Sequence, residues 1–150
     1  MKRLLPSLFA LALSLMPAYG QSQVEISADL FTIEEDSRQA VFTGTVVVKH
    51  PSVNVWAAKV IATYGEGGTS DIRSFEALGA VKLETKDLTA TGERAVFTPS
   101  DQMLRLTGNV EVVNSGGTVR SSELVVDMAS GVSTFTAGSG GRVTGVFTSQ

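Results

Sequence analysis

Apolar and polar residues alternate along most of this chain with a period of two. The clearest case is Leu104-Arg105-Leu106-Thr107-Gly108-Asn109-Val110-Glu111-Val112, with Gly108 in an apolar slot. Successive side chains of a strand point to opposite faces, so this rhythm predicts a half-buried strand. After Gln21 the 3.6-residue period of an amphipathic helix is missing, while Val and Thr are abundant. Gly65-Glu66-Gly67-Gly68, Asn114-Ser115-Gly116-Gly117 and Gly138-Ser139-Gly140-Gly141 predict turns between strands. Pro51 and Pro99 stand where a strand should pause.

The alternation is organised into an internal repeat. A glycine recurs inside a strand pattern at Val41–Val48, Glu76–Leu83 and Leu104–Val112, and the three glycines, Gly44, Gly79 and Gly108, are spaced 35 and 29 residues apart. A second signature, two small residues and a charge before an apolar run, appears as Ser27-Ala28-Asp29, Ala57-Ala58-Lys59 and Ser121-Ser122-Glu123, with Gly92-Glu93-Arg94 as an imperfect copy. These features define about four units of about 30 residues. One such unit cannot bury its apolar face alone, and stacking buries it continuously. A glycine at a fixed place in each strand predicts a bend where the sheet turns a corner. The small-small step marks a second corner. The expected fold is all-β: an antiparallel β-jelly roll made from a folded-over open sheet.

Charged residues fix which side faces water. With Arg105, Asn109 and Glu111 outward, Leu104, Leu106, Val110 and Val112 point inward. The same logic turns Phe75, Ala77, Val81 and Leu83 inward, and likewise Ala40, Phe42, Val46 and Val48. Ahead of the small-small steps it selects Val24, Ile26, Val53, Val55, Leu88, Ala90 and Val119; after them, Leu30, Val60, Phe97, Leu124 and Val126. These inward positions are poor in large aromatics, and a core of small side chains leaves room for a guest.

The first twenty residues differ from the rest. Lys2 and Arg3 precede an apolar run from Leu4 to Met16, and Pro17 then leads into Ala18-Tyr19-Gly20. This is the layout of a cleaved export signal, with Gln21 as the new N-terminus. The run of about 13 residues is short of the roughly 20 needed to cross a bilayer. Without Lys2 and Arg3 the exported chain keeps ten basic against fifteen acidic residues. Such an acidic surface is unsuited to nucleic acid, which requires clustered Lys and Arg. Hydrophobic residues at 43% exclude a disordered chain.

Candidate chemistry is sparse. There is no cysteine, hence no disulfide, thiol nucleophile or cysteine-held metal, and the one histidine, His50, stands beside Pro51. Glu34-Glu35-Asp36 lacks the alternating spacing and glycine of a calcium loop and reads as a solvated turn. Gly138-Ser139-Gly140-Gly141 does not open a helix, so it is not a phosphate loop. No enzyme, metal or cofactor is expected.

Taken in order, Val24-Glu25-Ile26-Ser27-Ala28-Asp29, Val41-Phe42-Thr43-Gly44-Thr45-Val46-Val47-Val48, Ala57-Ala58-Lys59-Val60 and Leu106-Thr107-Gly108-Asn109-Val110 resemble the OstA-like domain of the lipopolysaccharide-transport proteins, of the periplasmic-bridge type. The resemblance runs from about Val24 to Val146. It implies a jelly roll open along one side, whose interior shelters the acyl chains of lipid A while the sugars stay in water. It also implies periplasmic domains stacked end to end, with an LptC-like inner-membrane partner and an LptD-like outer-membrane partner. By position, Val24 and Ile26 look like the residues beside the acyl chains. Leu83 and Phe97 fall where the family has groove aromatics, and Leu83 departs from that pattern.

On this reading the N-terminal edge is the strand around Val24 and Ile26, and the C-terminal edge is the strand around Arg142, Val143 and Val146. Pairing of unlike edges would give a head-to-tail homo-oligomer. The alternative from another class is an exported structural or adhesive β module with a closed core. A lipid A analogue distinguishes the two.

Overall fold

Each apolar run in the repeat becomes one long strand. The computed structural model of the chain describes residues 24–149. The export signal and cleavage site expected from the sequence lie outside these residues. Ten strands are present: β1 (Glu25–Ser27), β2 (Leu30–Glu34), β3 (Gln39–His50), β4 (Val53–Tyr64), β5 (Ile72–Glu84), β6 (Leu88–Thr98), β7 (Met103–Asn114), β8 (Gly117–Asp127), β9 (Val132–Thr136) and β10 (Thr144–Phe147). The only helical segment among the described residues is a single 3-10 turn, Gly68–Ser70, inside the glycine-rich loop of the second unit. Pro51 and Pro99 fall in turns.

All ten strands belong to one sheet, and every pair is antiparallel. The six long strands from β3 to β8 follow one another in chain order. Each end of the sheet is finished by two short strands rather than one. β1 and β2 share the outer side of β3, and β9 and β10 share the outer side of β8. The single end strands expected from the sequence are therefore pairs.

The sheet folds over along one line. Gly44, Gly79 and Gly108 have φ of +88°, +83° and +83°, and the residue after each, Thr45, Ala80 and Asn109, is also left-handed. Each of these bulges coincides with a shift of register, between Thr43 and Val46, Leu78 and Val81, and Thr107 and Val110. The small-small steps lie on the same line. A Cβ on Gly79 would come within 2.8 Å of the Ala58 Cβ, so the neighbouring side chain must be small where the strands bend together. In the imperfect copy Glu93 turns outward instead, beside Gly108, and accepts a hydrogen bond from Asn109 Nδ2 at 3.1 Å.

The line divides every long strand into two halves, whose apolar sides share one core. Its buried members are Ala, Val and Leu alone. Val46, Val81, Leu106 and Val110 are completely buried at its centre. Aromatic rings are confined to its periphery, where Phe42 and Phe135 pack against it.

Candidate functional site: the inner face of the folded sheet

Strand register decides which residues share a face. On the inner side, Val48, Val55, Leu83, Ala90, Val112 and Val119 stand opposite one another from β3 to β8 in one half. In the other half Phe42, Val60, Ala77, Ala95, Leu106 and Leu124 do the same. Ile26 joins the first row opposite Val48, and Phe135 the second opposite Leu124.

The structure brings together most of the residues selected from the sequence. Val46, Val81, Leu83, Leu106, Val110, Val112 and Leu124 are buried in one cluster. Ile26, Phe42, Val48, Val53, Val55, Leu104 and Val126 pack against it, half-buried. Phe75 and Phe97 lie opposite each other on the inner face but outside that cluster, half-buried towards the end of the fold. Val24 precedes β1 and is exposed, in phase with Ile26.

Leu30 is a correction. It pairs with Thr43 on the outer side and is 60% exposed. Phe31 and Ile33 occupy the inner face instead, opposite Phe42 and Ala40, and the rings of Phe31 and Phe42 stack with centroids 4.6 Å apart. Both faces of Leu30–Ile33 are apolar, so alternation alone could not choose. The four-residue turn Glu35–Arg38, which puts Glu34 opposite Gln39, fixes the choice. Phe135 and Phe147 were also missed; the alternation of Ser133 with Phe135 is too short to carry a phase. Arg142 and Val143 need correction as edge-strand residues, because β10 begins at Thr144 and both precede it. Val146 does lie in β10, pointing outward opposite Thr118.

The two faces differ sharply in polarity. No Asp, Glu, Lys or Arg occupies an inner strand position in the register described. The outer face carries the charges: Arg94 bridges to Glu76 and Arg105 to Glu123, both at 2.6 Å, and Arg120 to Glu111 at 2.8 Å. Lys82 lies 5.0 Å from the centroid of the Trp56 ring, also outside. Such exposed pairs contribute at most about 1 kcal/mol each. Their main effect is to fix which face meets water.

Apolar surface reappears at the two ends of the sheet. Val24, Leu30, Phe31 and Ile33 are exposed at the β1/β2 edge, and Val132, Val143, Val146 and Phe147 at the β9/β10 edge. A hollow of about 570 Å³ opens beside Ile33, rimmed by Arg38, Tyr64 and the glycine-rich loop. A smaller one, about 210 Å³, lies on the outer side of the other edge between Arg120 and Val146.

Among the described residues no three His, Asp or Glu side chains come together to hold a metal. His50 ends β3, where its Nδ1 accepts the Ser52 N–H at 3.1 Å. Glu34, Glu35 and Asp36 are all exposed at the β2–β3 turn. The pKa of Asp127 is lowered, chiefly by the Ser130 N–H that its carboxylate accepts in the β8–β9 turn.

This geometry has known counterparts. An uncharacterized protein of Rhizobium meliloti (strain 1021) is 30% identical over 127 residues, covering 80% of this chain and 68% of that protein. The crystal structure of LptH, the LptA homologous periplasmic component of the lipopolysaccharide transport device of Pseudomonas aeruginosa, superposes with a TM-score of 0.72. At 18% identity it covers 85% of this chain and 96% of LptH, and establishes the same fold. The family model described as LptA/(LptD N-terminal domain) LPS transport protein matches residues 25–132, from the first strand to the start of β9. On that match the chain belongs to the LptA-type lipopolysaccharide-transport family.

Proposed function

We propose that the protein is a periplasmic carrier of lipopolysaccharide, holding the lipid A acyl chains between the two halves of its folded sheet. The observation that carries this reading is the uncharged inner face, which continues without interruption to both open edges. Acyl chains need an environment free of unpaired charge, because burying one costs several kcal/mol. A core of Ala, Val and Leu presents only aliphatic side chains to an acyl chain. The sugars and phosphates would stay outside, and the cargo passes through unaltered.

The edges support a bridging role. The β10 strand spends its Thr148 N–H on Gly116 O, so by the alternation of an antiparallel ladder the Gly145 and Phe147 N–H groups point to its open side. At the other end the Asp29 N–H is spent on β3, leaving those of Leu30 and Thr32 open. β3 and β8 run in opposite directions, so a second copy stacked in the same orientation continues the antiparallel alternation. The inner faces then join. The same edges would receive an LptC-like inner-membrane partner and an LptD-like outer-membrane partner, once the export signal is cleaved near Gly20.

Purification from cells making lipopolysaccharide tests the reading. Bound lipid A should accompany the wild-type protein and be lost from Ile26→Asp, which places a carboxylate on the inner face. A well-folded wild-type protein that takes up no lipid A would point instead to a closed structural module.

A further inference from the structure

The two open edges have opposite electrical character. Residues 24–36 contain five acidic residues and no basic one, whereas residues 128–149 contain Arg142 as their only charge. The fold line locates the two charges that matter. At the N-terminal end it passes through Asp29, whose N–H is held by Thr43 and Gly44 at 3.1 Å. It continues through Ala58 against Gly79 and Glu93 against Gly108. At the C-terminal end it reaches Ser122, on which the glycines just before Arg142 rest: a Cβ on Gly138 would lie 3.5 Å, and one on Gly141 3.7 Å, from Ser122 Oγ. Asp29 and Arg142 therefore stand at opposite ends of one line, both exposed. Neither is among the ion pairs of the described residues.

We propose that Arg142 of one copy pairs with Asp29 of the next and thereby sets the direction and register of assembly. This rests on the head-to-tail reading above and identifies what selects it. Aligning the fold lines of two copies, as continuous inner faces require, carries Arg142 up to Asp29. A one-residue slip would turn the edge side chains to the wrong face, and a charge contact at the bend opposes it. Two N-terminal edges brought together would set five acids against five, and like charges across a strand pair are destabilising. Two C-terminal edges offer no counter-charge to Arg142. Only the unlike pairing brings opposite charges together.

A charge swap on the whole mature protein tests this by sedimentation. Arg142→Glu and Asp29→Lys should each weaken self-association about five-fold, the range of a surface ion pair and its reversal. Asp29→Asn, which keeps the side-chain shape, should have a smaller effect of the same sign. Combining Arg142→Glu with Asp29→Lys in one chain should restore association to within about two-fold of wild type. All these variants should melt as wild type does, since both side chains are in water. If wild type associates but the swap fails to restore what the single changes remove, or they remove nothing, the Arg142–Asp29 contact is wrong and assembly by backbone pairing stands. If wild type does not associate at any concentration, the head-to-tail reading itself falls.

Discussion

Leu106, wholly buried on the inner face, lies over Gly92 on the adjacent strand: a Cβ on the glycine would come within 2.6 Å of Leu106 Cδ1. Gly92 is thus the space that Leu106 fills. Gly92→Ala should destabilise the fold by about 1–3 kcal/mol through overpacking. Leu106→Ala should cost about 2–5 kcal/mol through the cavity it leaves. Because the two share one volume, the double variant should cost less than the sum, which denaturant titration of all four proteins would measure.

Gly79 makes a different demand. Its φ of +83° and its 2.8 Å approach to the Ala58 Cβ are independent obstacles to any side chain. Gly79→Ala should lose about 1–3 kcal/mol from the backbone conformation alone. Ala58→Gly removes only the contact, so in the Gly79→Ala background it should recover only part of the loss. Full recovery on thermal melting would mean that crowding, not the bend, requires the glycine.

These corners are also what made the fold legible. The spacing of Gly44, Gly79 and Gly108 announced a bend repeated in register, and each became a left-handed bulge. Alternation around charged residues oriented the long strands, because each has an Arg, Lys or Glu to mark its wet side. It failed at Leu30, where no charge lies within the apolar run and the partner strand decides. It also gave no warning that each edge is shared by two short strands. Pairing with the flank of β3 or β8 is a tertiary choice that a five-residue segment does not encode.

The β8–β9 turn should respond to acid. The Asp127 carboxylate accepts N–H bonds from Ala129 and Ser130, at 3.0 and 3.1 Å, which hold its pKa below the ordinary 3.8. A depressed folded value stabilises the turn above pH 3.8, and that contribution disappears as pH falls through the folded value. Hydrogen exchange of the Gly131 amide, bonded to Asp127 O at 2.7 Å, should therefore lose protection at lower pH. In Asp127→Asn this acid step should vanish.

The C-terminal edge separates backbone from side chain. The Phe147 N–H faces the open side of β10, and the residue is 72% exposed. Phe147→Pro should weaken self-association by removing an edge donor without breaking a ladder bond to β8. Phe147→Ala should weaken it less, since it keeps the donor. Analytical ultracentrifugation giving equal losses for both would assign the contact to the ring alone.

The central claim is that lipid A lies on the inner face and nowhere else on the sheet. Site-specific photocrosslinking in cells tests it at neighbouring residues of opposite phase: Ile33 against Thr32 in β2, and Phe147 against Val146 in β10. A photoreactive side chain at Ile33 or Phe147 should capture lipopolysaccharide, and one at Thr32 or Val146 should not. Equal capture on both faces, or none at Ile33 and Phe147, would contradict the account.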